Sequence, residues 1–485
     1  MNTLETGLLL GGRSTEAESR RTFDRPSPIA PGTATRAAAA SPADAIRMVE
    51  AAAAAFPAWS ETGPNHRREL LNKAAQLLVA RSDDFVRAMV AETGCAESWA
   101  RFNCRLGAEM LIEAGAMTTR ILGETIPADR PGTLAMAVRQ AAGVSLGIAP
   151  WNAPVVLGVR AVAMPLACGN TAILKASELS PATHVLIGEV LQEAGLPQGV
   201  INVLTNAAED SGPVVEAMIA HPAVRRVNFT GSTRVGRLIG EMCGRYLKPC
   251  VLELGGKAPL VVLADADVHE AARATAFGAF MHQGQICMST EKAVVLEPVA
   301  EAFVASLAER ARSIRAANPA REKAPLGALV APAAAARIRD LIDDAVRKGA
   351  RLAAGGGIDG VVVQCTVLAD VTPAMRIYRE ESFGPVVAVV RARTVDEAVE
   401  FANDTEYGLA ASVFGRDVSE VIKVAKRIRS GSCHINGPTV YDEAQMPFGG
   451  LKDSGVGRFG GQSGVEAFTD LRWITIQITP PRYPI

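Results

Sequence analysis

The sequence predicts an α/β architecture, and three observations carry that prediction. Between 144 and 254, short β-branched or apolar runs alternate with amphipathic stretches, the mark of a doubly wound parallel sheet. A second alternating block runs from Pro259 to about Phe448. The tail 468–478 carries Trp473, Ile474, Thr475, Ile476 and Ile478. Such a run of β-formers needs a sheet edge to pair with, and another subunit is one source of it.

Taken in order, the elements announce themselves by their ends. Ser41-Pro42-Ala43-Asp44 marks a helix start, with serine as N-cap, proline at the first helical position and an acid in the first turn. An alanine-rich helix follows to about Phe56. Pro64 opens a second helix through Leu70, Leu77 and Leu78, and a break near Ser82 begins a third, which Gly94 closes. Alternating runs around Pro127 and Pro131 read as an outward hairpin over 121–144. Strands are expected at 144–149, 171–175, 200–204, 224–229 and 250–254. Helices are expected at 154–167, 181–194, 211–220 and 234–243. No repeat of 20–50 residues is visible.

Composition narrows the class. The chain has 485 residues, ample for a large core. Lysine plus arginine is 50 and aspartate plus glutamate 51, so neither the basic excess of a nucleic-acid binder nor an acidic disordered chain is present. Eight scattered cysteines form no C-x-x-C and no zinc pattern with histidine. That usage fits a reducing, cytoplasmic setting without a metal. The start, MNTLETGLLLGG, lacks the basic region of a secretory signal. The stretch 140–159 is uncharged, but it contains Pro150, Asn152 and Pro154, which are costly in lipid. A buried strand, a loop and a core helix are expected there, and no membrane span.

Several motifs fail. Gly455-Val-Gly457-Arg-Phe-Gly460 matches G-x-G-x-x-G, but it follows a glycine-rich loop and leaves too little chain for a βαβ unit; a flexible loop is expected. Gly255-Gly256-Lys257 is no Walker A element, since Ala258 replaces the Ser or Thr. Asp265 and Asp267 lack a third metal ligand, and a helix N-cap is expected.

Others hold. Gln283-Gly-Gln-Ile-Cys287-Met-Ser289 sets a cysteine in a polar, glycine-bearing segment. A buried structural thiol and an accessible nucleophile both fit. Glu253 ends an apolar run before two glycines, where a carboxyl either finds an ion partner or has a raised pKa and serves as a general base. Asn152, between Pro150 and Pro154, is either a turn former or a fixed donor for an oxyanion. Phe229-Thr-Gly231-Ser232-Thr-Arg-Val-Gly236 joins a strand to a helix start, where free N–H groups can hold an anion.

Together and in this order, these segments resemble the NAD(P)-dependent aldehyde dehydrogenase superfamily, from about Phe23 to Trp473. The stretches that carry the likeness are PWNAP (150–154), KASELSP (175–181), FTGSTRVG (229–236), LELGGK (252–257), GQICMS (284–289), EESFGPV (380–386) and PFGGLKDSGVGR (447–458). Glu253 precedes Cys287 by the family's usual 34 residues. The resemblance implies Cys287 as nucleophile, Glu253 as the base for hydrolysis, and Asn152 with the Cys287 backbone N–H as the oxyanion hole. It implies cofactor contacts at Trp151, Lys175, Glu178, Gly231, Ser232, Gly236, Glu381 and Phe383. An acid beside the ribose 2′-hydroxyl favours NAD over NADP.

The phrases HQGQICMSTE, VRRVNFTGSTRVG, MRIYREESFGP, CHINGPTV and GRFGG are most similar to the salicylaldehyde and vanillin dehydrogenases of that superfamily. The likeness implies a substrate tunnel lined by Trp99, Ala153, Leu157, Arg160, Met288 and Phe448, taking a hydroxylated aromatic aldehyde. Arg160, the only charge between Arg139 and Lys175, either bonds a ring hydroxyl or carboxylate or pairs with a buried acid. Other readings are an aliphatic or semialdehyde dehydrogenase, a CoA-acylating enzyme, which usually lacks the basic glutamate, and a non-catalytic protein on the same scaffold. By analogy, a Rossmann-like NAD-binding domain spans 1–123 and 144–254 with a return at 449–466. A catalytic domain spans 255–448, and a small β oligomerisation domain combines 124–143 with 467–485, implying a homodimer or homotetramer.

Overall fold

Burial along their whole length makes strands of Val144–Ile148, Thr171–Lys175 and Ile201–Leu204, as expected where helices cover both faces of a parallel sheet. The computed structural model describes residues 3–478 together with Pro480 and Tyr483. The expected segments 1–123 and 467–485 include seven positions, 1–2, 479, 481–482 and 484–485, that lie outside the described residues. The first sheet has eight strands in the order 455–456, 250–253, 224–230, 144–148, 171–175, 201–204, 8–10, 13–15. Its inner five strands are parallel, and the flanking ones pair antiparallel. From 144–148 the chain builds outward through two strands, then returns to the opposite flank with Val224–Thr230. Strand order therefore reverses between these neighbours, which is where such a sheet opens a crevice beyond its strand ends.

The second sheet has seven strands, ordered 351–354, 366–369, 386–392, 290–296, 258–262, 410–414, 432–435. All of its pairings are parallel except that of 351–354. Only Leu254, Gly255, Gly256 and Lys257 separate the last parallel strand of the first sheet, Cys250–Glu253, from the first of the second, Ala258–Val262. The helix Pro154–Ala167 is buried at every residue. It packs with the helix Glu97–Met117 and others around one apolar cluster. No helix among the described residues is long and apolar enough to cross a membrane.

From 144 to 254 the expected element boundaries agree within two residues. Ser41 caps its helix as expected, Gly94 closes its own in the left-handed region, and Asp267 caps the helix Val268–Phe280. Four features differ. The first helix runs on to Ser60 through Pro57. The helix Glu97–Met117 has no side-chain cap to announce it. Five short strands lie before residue 39, and the pairing of Leu4–Thr6 with Thr33–Ala38 is long-range. The 455–460 glycine motif is no flexible loop: Gly455–Val456 pairs with Leu252 and Glu253 and closes the sheet edge.

The tail also finds its edge at home. Thr469–Gln477 pairs antiparallel with Thr133–Ala141 over nine residues, from Thr469 opposite Ala141 to Gln477 opposite Thr133. Glu124–Ile126 completes that three-stranded sheet. Asn170 fastens it to the first sheet. Its Oδ1 accepts from the N–H groups of Ala142 and Gly143, and its Nδ2 donates to the carbonyls of Pro165 and Phe468. Asn170→Ala strands the N–H groups of Ala142 and Gly143 and the Phe468 carbonyl, whereas the Pro165 carbonyl keeps the Asn170 main-chain N–H; each buried group left without a partner costs about 1–3 kcal/mol where no water replaces it. We expect the variant to fold with a thermal midpoint lowered by several degrees, read by circular dichroism. An unchanged midpoint would show that the amide is dispensable.

Candidate active site

Three chain segments far apart in sequence meet where the two sheets join. Glu253, the last residue of its strand, is 1% exposed. Its main-chain carbonyl accepts from the Gly231 N–H at 3.0 Å, which ties the strand end to the turn after Val224–Thr230. Both side-chain oxygens are buried without a hydrogen-bond partner. Burial pushes the carboxyl up to about 7, and the neighbouring Cys287 thiol and the Arg160 charge offset part of the rise.

The turn that follows can exist only with glycine. A Cβ on Gly256 would stand 2.2 Å from the Cys287 carbonyl oxygen, and one on Gly255 would stand 2.9 Å from the Glu381 carboxylate. The missing side chains let the 254–257 turn lie against the Cys287 loop. Burial raises the Cys287 thiol well above its usual pKa, and the Glu253 charge raises it further. The carboxylate thus opposes ionisation of the thiol, while the thiol favours ionisation of the carboxyl.

A strained turn presents the cysteine. His282, Gln283 and Gly284 have φ of 49°, 56° and 69°, and two consecutive non-glycine residues in that region are costly. Long amide side chains hold them there. Gln283 accepts from the Gly327 N–H and donates to the Ala328 carbonyl, while Gln285 accepts from the Val330 N–H. Gly284 cannot be replaced, since a Cβ would lie 2.0 Å from the Gly384 carbonyl oxygen.

Asn152 closes the arrangement from the other side. Its Nδ2 donates to the Gln285 carbonyl at 2.9 Å, two residues from Cys287. Its own carbonyl accepts from Trp99 Nε1 at 2.9 Å. The amide is thereby anchored at both ends beside the thiol, with a second N–H that Gln285 does not use. A nucleophile, a base titrating near neutrality and a fixed amide donor are what addition to a carbonyl requires.

Around them lies an apolar wall. Trp99, Ala153, Leu157, Met288 and Phe448 belong to one buried cluster, and Cys287 packs against it. Trp99 stacks on His282 with centroids 4.5 Å apart. Arg160 takes the second of its expected roles: it pairs with Asp442, its guanidinium lying 4.4 Å over the Phe448 ring. Arg160, Phe448, Met110, Met164 and Ala444 also line a cleft beside this wall.

Several of the expected cofactor residues follow the strands between which the order reverses. Trp151 follows one central strand, while Gly231 and Ser232 follow the other. Ser232 caps the helix Thr233–Arg245, leaving N–H groups at a helix start. Gly236 lets that helix close on Leu254, which a Cβ would meet at 2.2 Å. Trp151 and Phe383 stand edge to face at 5.8 Å. Glu381 accepts from the Gly256 N–H at 2.9 Å, and enclosure pushes its carboxyl to about 7. Lys175, buried with its pKa lowered, pairs with Glu178 at 3.7 Å at the far end. Among the described residues no cluster suited to a metal ion occurs.

The sequence reading missed Asp442, His282, Gln283, Gln285 and Glu291. Glu291 receives Lys257 Nζ, the Ser382 N–H and hydroxyl, and the Phe383 N–H, and so sets the loop bearing Glu381 and Phe383. The signal for Glu291 is a charge at the start of an apolar strand run, the counterpart of Glu253 at the end of one.

Comparison with known proteins gives one consistent result. The model of the aldehyde dehydrogenase family matches residues 15–474. A vanillin dehydrogenase of Pseudomonas fluorescens is 57% identical over 482 residues, 99% of this chain and 100% of that one. A benzaldehyde dehydrogenase [NAD(+)] of Pseudomonas putida is 38% identical, covering 91% of this chain and 90% of that one. The crystal structure of a salicylaldehyde dehydrogenase from Pseudomonas putida G7 complexed with salicylaldehyde superposes with a TM-score of 0.97 at 44% identity. It covers 99% of this chain and 100% of that one.

The effect of the Glu253 charge on the Cys287 thiol has a measurable sign. Glu253→Gln removes a negative charge that disfavours the Cys287 thiolate, so iodoacetamide should label Cys287 faster at pH 8 in the variant than in the wild type. Slower labelling would mean that the carboxylate assists the resting thiol instead of suppressing it.

Proposed function

The chain belongs to the aldehyde dehydrogenase family, and on that premise we propose that it oxidises a hydroxylated aromatic aldehyde of the vanillin or salicylaldehyde type to the carboxylic acid with NAD. The observation that carries this reading is the convergence of Cys287, Glu253 and Asn152 on one point walled by Trp99, Leu157, Met288 and Phe448. Relatives named for vanillin, salicylaldehyde and benzaldehyde support the choice of an aromatic ring.

The residues present suit a nicotinamide dinucleotide. The crevice lies at the reversal of strand order, Gly231 and Ser232 start a helix there, and Glu381 with Phe383 borders the inner end. Lys175 and Glu178 would hold the adenosine ribose. Glu178 disfavours a 2′-phosphate by charge, which selects NAD over NADP. When bound, the nicotinamide supplies the acceptor for the hydrogen and electron pair that leave the aldehyde carbon.

The chain's own residues do the rest. Cys287 gives its thiol proton to water, its sulfur bonds to the carbonyl carbon, and Asn152 with the Cys287 N–H stabilises the oxygen as it becomes negative. Once the carbon is oxidised, Cys287 holds the acyl group as a thioester. The Glu253 carboxylate takes a proton from water, whose oxygen displaces sulfur, and the acid leaves with the thiol restored. The sheet containing Glu253 serves as the cofactor domain, and the 255–448 region serves as the catalytic domain. The three-stranded sheet is our candidate for the contact that forms a homodimer or homotetramer, because Leu471, Trp473 and Ile476 on its tail strand, and Ile478 just beyond it, are 50–76% exposed.

A panel of salicylaldehyde, vanillin, benzaldehyde and hexanal, each with NAD and with NADP, tests the assignment. The expected order of kcat/KM places the hydroxylated rings first and NAD above NADP. If hexanal leads, the aromatic assignment is wrong. The Glu253 pKa adds a second expectation. The base acts when ionised, so hydrolysis should rise with pH through about 7 and level off above it. Glu253→Gln should give one burst of NADH and then stall as the acyl-enzyme, whereas steady turnover with the same pH profile would remove Glu253 from the role.

A further inference from the structure

A tight turn between the helix Thr233–Arg245 and the strand Cys250–Glu253 sets two thiols side by side. The Lys248 N–H donates to the Cys243 carbonyl at 2.8 Å, and the Leu247 N–H donates to the Gly244 carbonyl at 3.3 Å. Leu247 has a φ of 51°. These are the two bonds and the left-handed residue of a Schellman closure, which reverses the chain at a helix end. The reversal brings Cys250 back beside Cys243, and the two side chains are hydrogen-bonded. Cys243 lies within one apolar cluster and Cys250 packs against it.

The two sulfurs differ in access. Cys243 is 1% exposed, whereas Cys250 is half-buried. On one flank Cys250 pairs with Val227. On the other, the pairing with Gly455–Val456 covers Leu252 and Glu253 and stops short of Cys250. The hydrogen bond from Cys243 lowers the Cys250 pKa, while Cys243 holds its own proton. A reachable thiolate beside a protonated thiol is the arrangement in which one sulfur is oxidised and the other resolves it. The remaining cysteines lack it. Cys95 and Cys104 are both buried, and desolvation pushes each up to about 12. Cys433 is half-buried, and desolvation alone raises it to about 11.

We propose that Cys243 and Cys250 form a reversible redox site, at which a hydroperoxide converts the two thiols to a disulfide. The Cys250 sulfur attacks one peroxide oxygen, the O–O bond breaks, and with hydrogen peroxide the second oxygen leaves as water after taking a proton. Cys250 is then a sulfenic acid. The Cys243 sulfur attacks the Cys250 sulfur, its proton passes to the departing hydroxyl, and a second water leaves. The two thiols lose two electrons and the peroxide gains them. A small-molecule thiol reverses the step by exchange. The site is separate from Cys287, yet it lies on elements that lead to the catalytic centre. The helix begins after Ser232, and the strand ends at Glu253. The disulfide therefore fastens the last turn of that helix to the first residue of that strand.

The test treats the folded protein with hydrogen peroxide near neutral pH, blocks the remaining thiols with iodoacetamide and reads tryptic peptides by mass spectrometry. Cleavage after Arg245 puts the two cysteines on separate peptides, 238–245 and 246–257, so a disulfide joins them. The joined pair should appear about 10- to 100-fold faster than Cys433 is oxidised, because the gain in thiolate exceeds the loss in nucleophilicity. Dithiothreitol should restore both thiols. Cys250→Ser should abolish the link, and Cys243→Ser should leave Cys250 as a sulfenic acid that dimedone traps. Peptides 238–245 and 246–257 still unlinked once Cys433 is oxidised would overturn the proposal. So would a link that joins two chains instead of one, or a folded Cys243→Ser variant whose Cys250 takes no dimedone. The wild-type peptides decide the matter even where a variant fails to fold.

Discussion

A carboxyl and a thiol buried side by side constitute the constraint on which the rest of this structure depends. In water both groups would titrate independently. Here burial disfavours each charge, the Glu253 charge holds the thiol protonated, and the thiol in turn favours the carboxylate. Both groups nonetheless carry their protons further up the pH scale than they would in water. Such a pair is stable only if nothing else satisfies it, and Glu253 indeed keeps both oxygens free of conventional partners. The protein maintains this mainly with backbone. Gly255 and Gly256 leave no atoms to intervene, the strand edge is sealed by Gly455–Val456, and the Ser454 hydroxyl occupies the Gly255 carbonyl at 2.7 Å.

The same constraint explains the strain opposite. Bringing a nucleophile to that carboxyl requires a turn through left-handed φ at His282 and Gln283, which an isolated peptide would refuse. Gln283 and Gln285 reach across to the 327–330 segment and supply the bonds that hold it. Asn152 then bonds to Gln285 and not to the cysteine itself, so the Asn152 amide and Cys287 are positioned by one segment. A shift in either is transmitted to the other, and for reacting atoms a displacement of about 1 Å is already consequential.

Much of this was legible in the sequence, and the illegible parts share a cause. The strands and helices between 144 and 254 were readable because each strand is a short apolar run bounded by a helix with capping or proline signals. The short strands before residue 39 were not, because three residues carry no period and their partners lie in distant sequence. Cys287, Glu253 and Asn152 stood out through their unusual settings. Asp442 did not: an acid in the polar run YDEAQ reads as a solvated loop, and its partner Arg160 is 282 residues away. Arg160, alone in an apolar stretch, could announce that it had a partner but could not say which acid. His282 was hidden because stacking on Trp99 is a tertiary event with no sequence period.

The Arg160–Asp442 pair also clarifies why this pocket uses a charged couple where apolar side chains would fill the space more cheaply. A buried ion pair is a poor source of stability, since desolvating both partners costs about as much as their attraction returns. A lone arginine beside Glu253 would favour the ionised carboxylate and lower its pKa away from neutrality, and a lone aspartate would push it higher; the two act on Glu253 with opposite sign. Paired, they leave the Glu253 carboxyl near 7. The couple therefore places two charges close to Glu253 without displacing its titration. A single charge at either position would shift it.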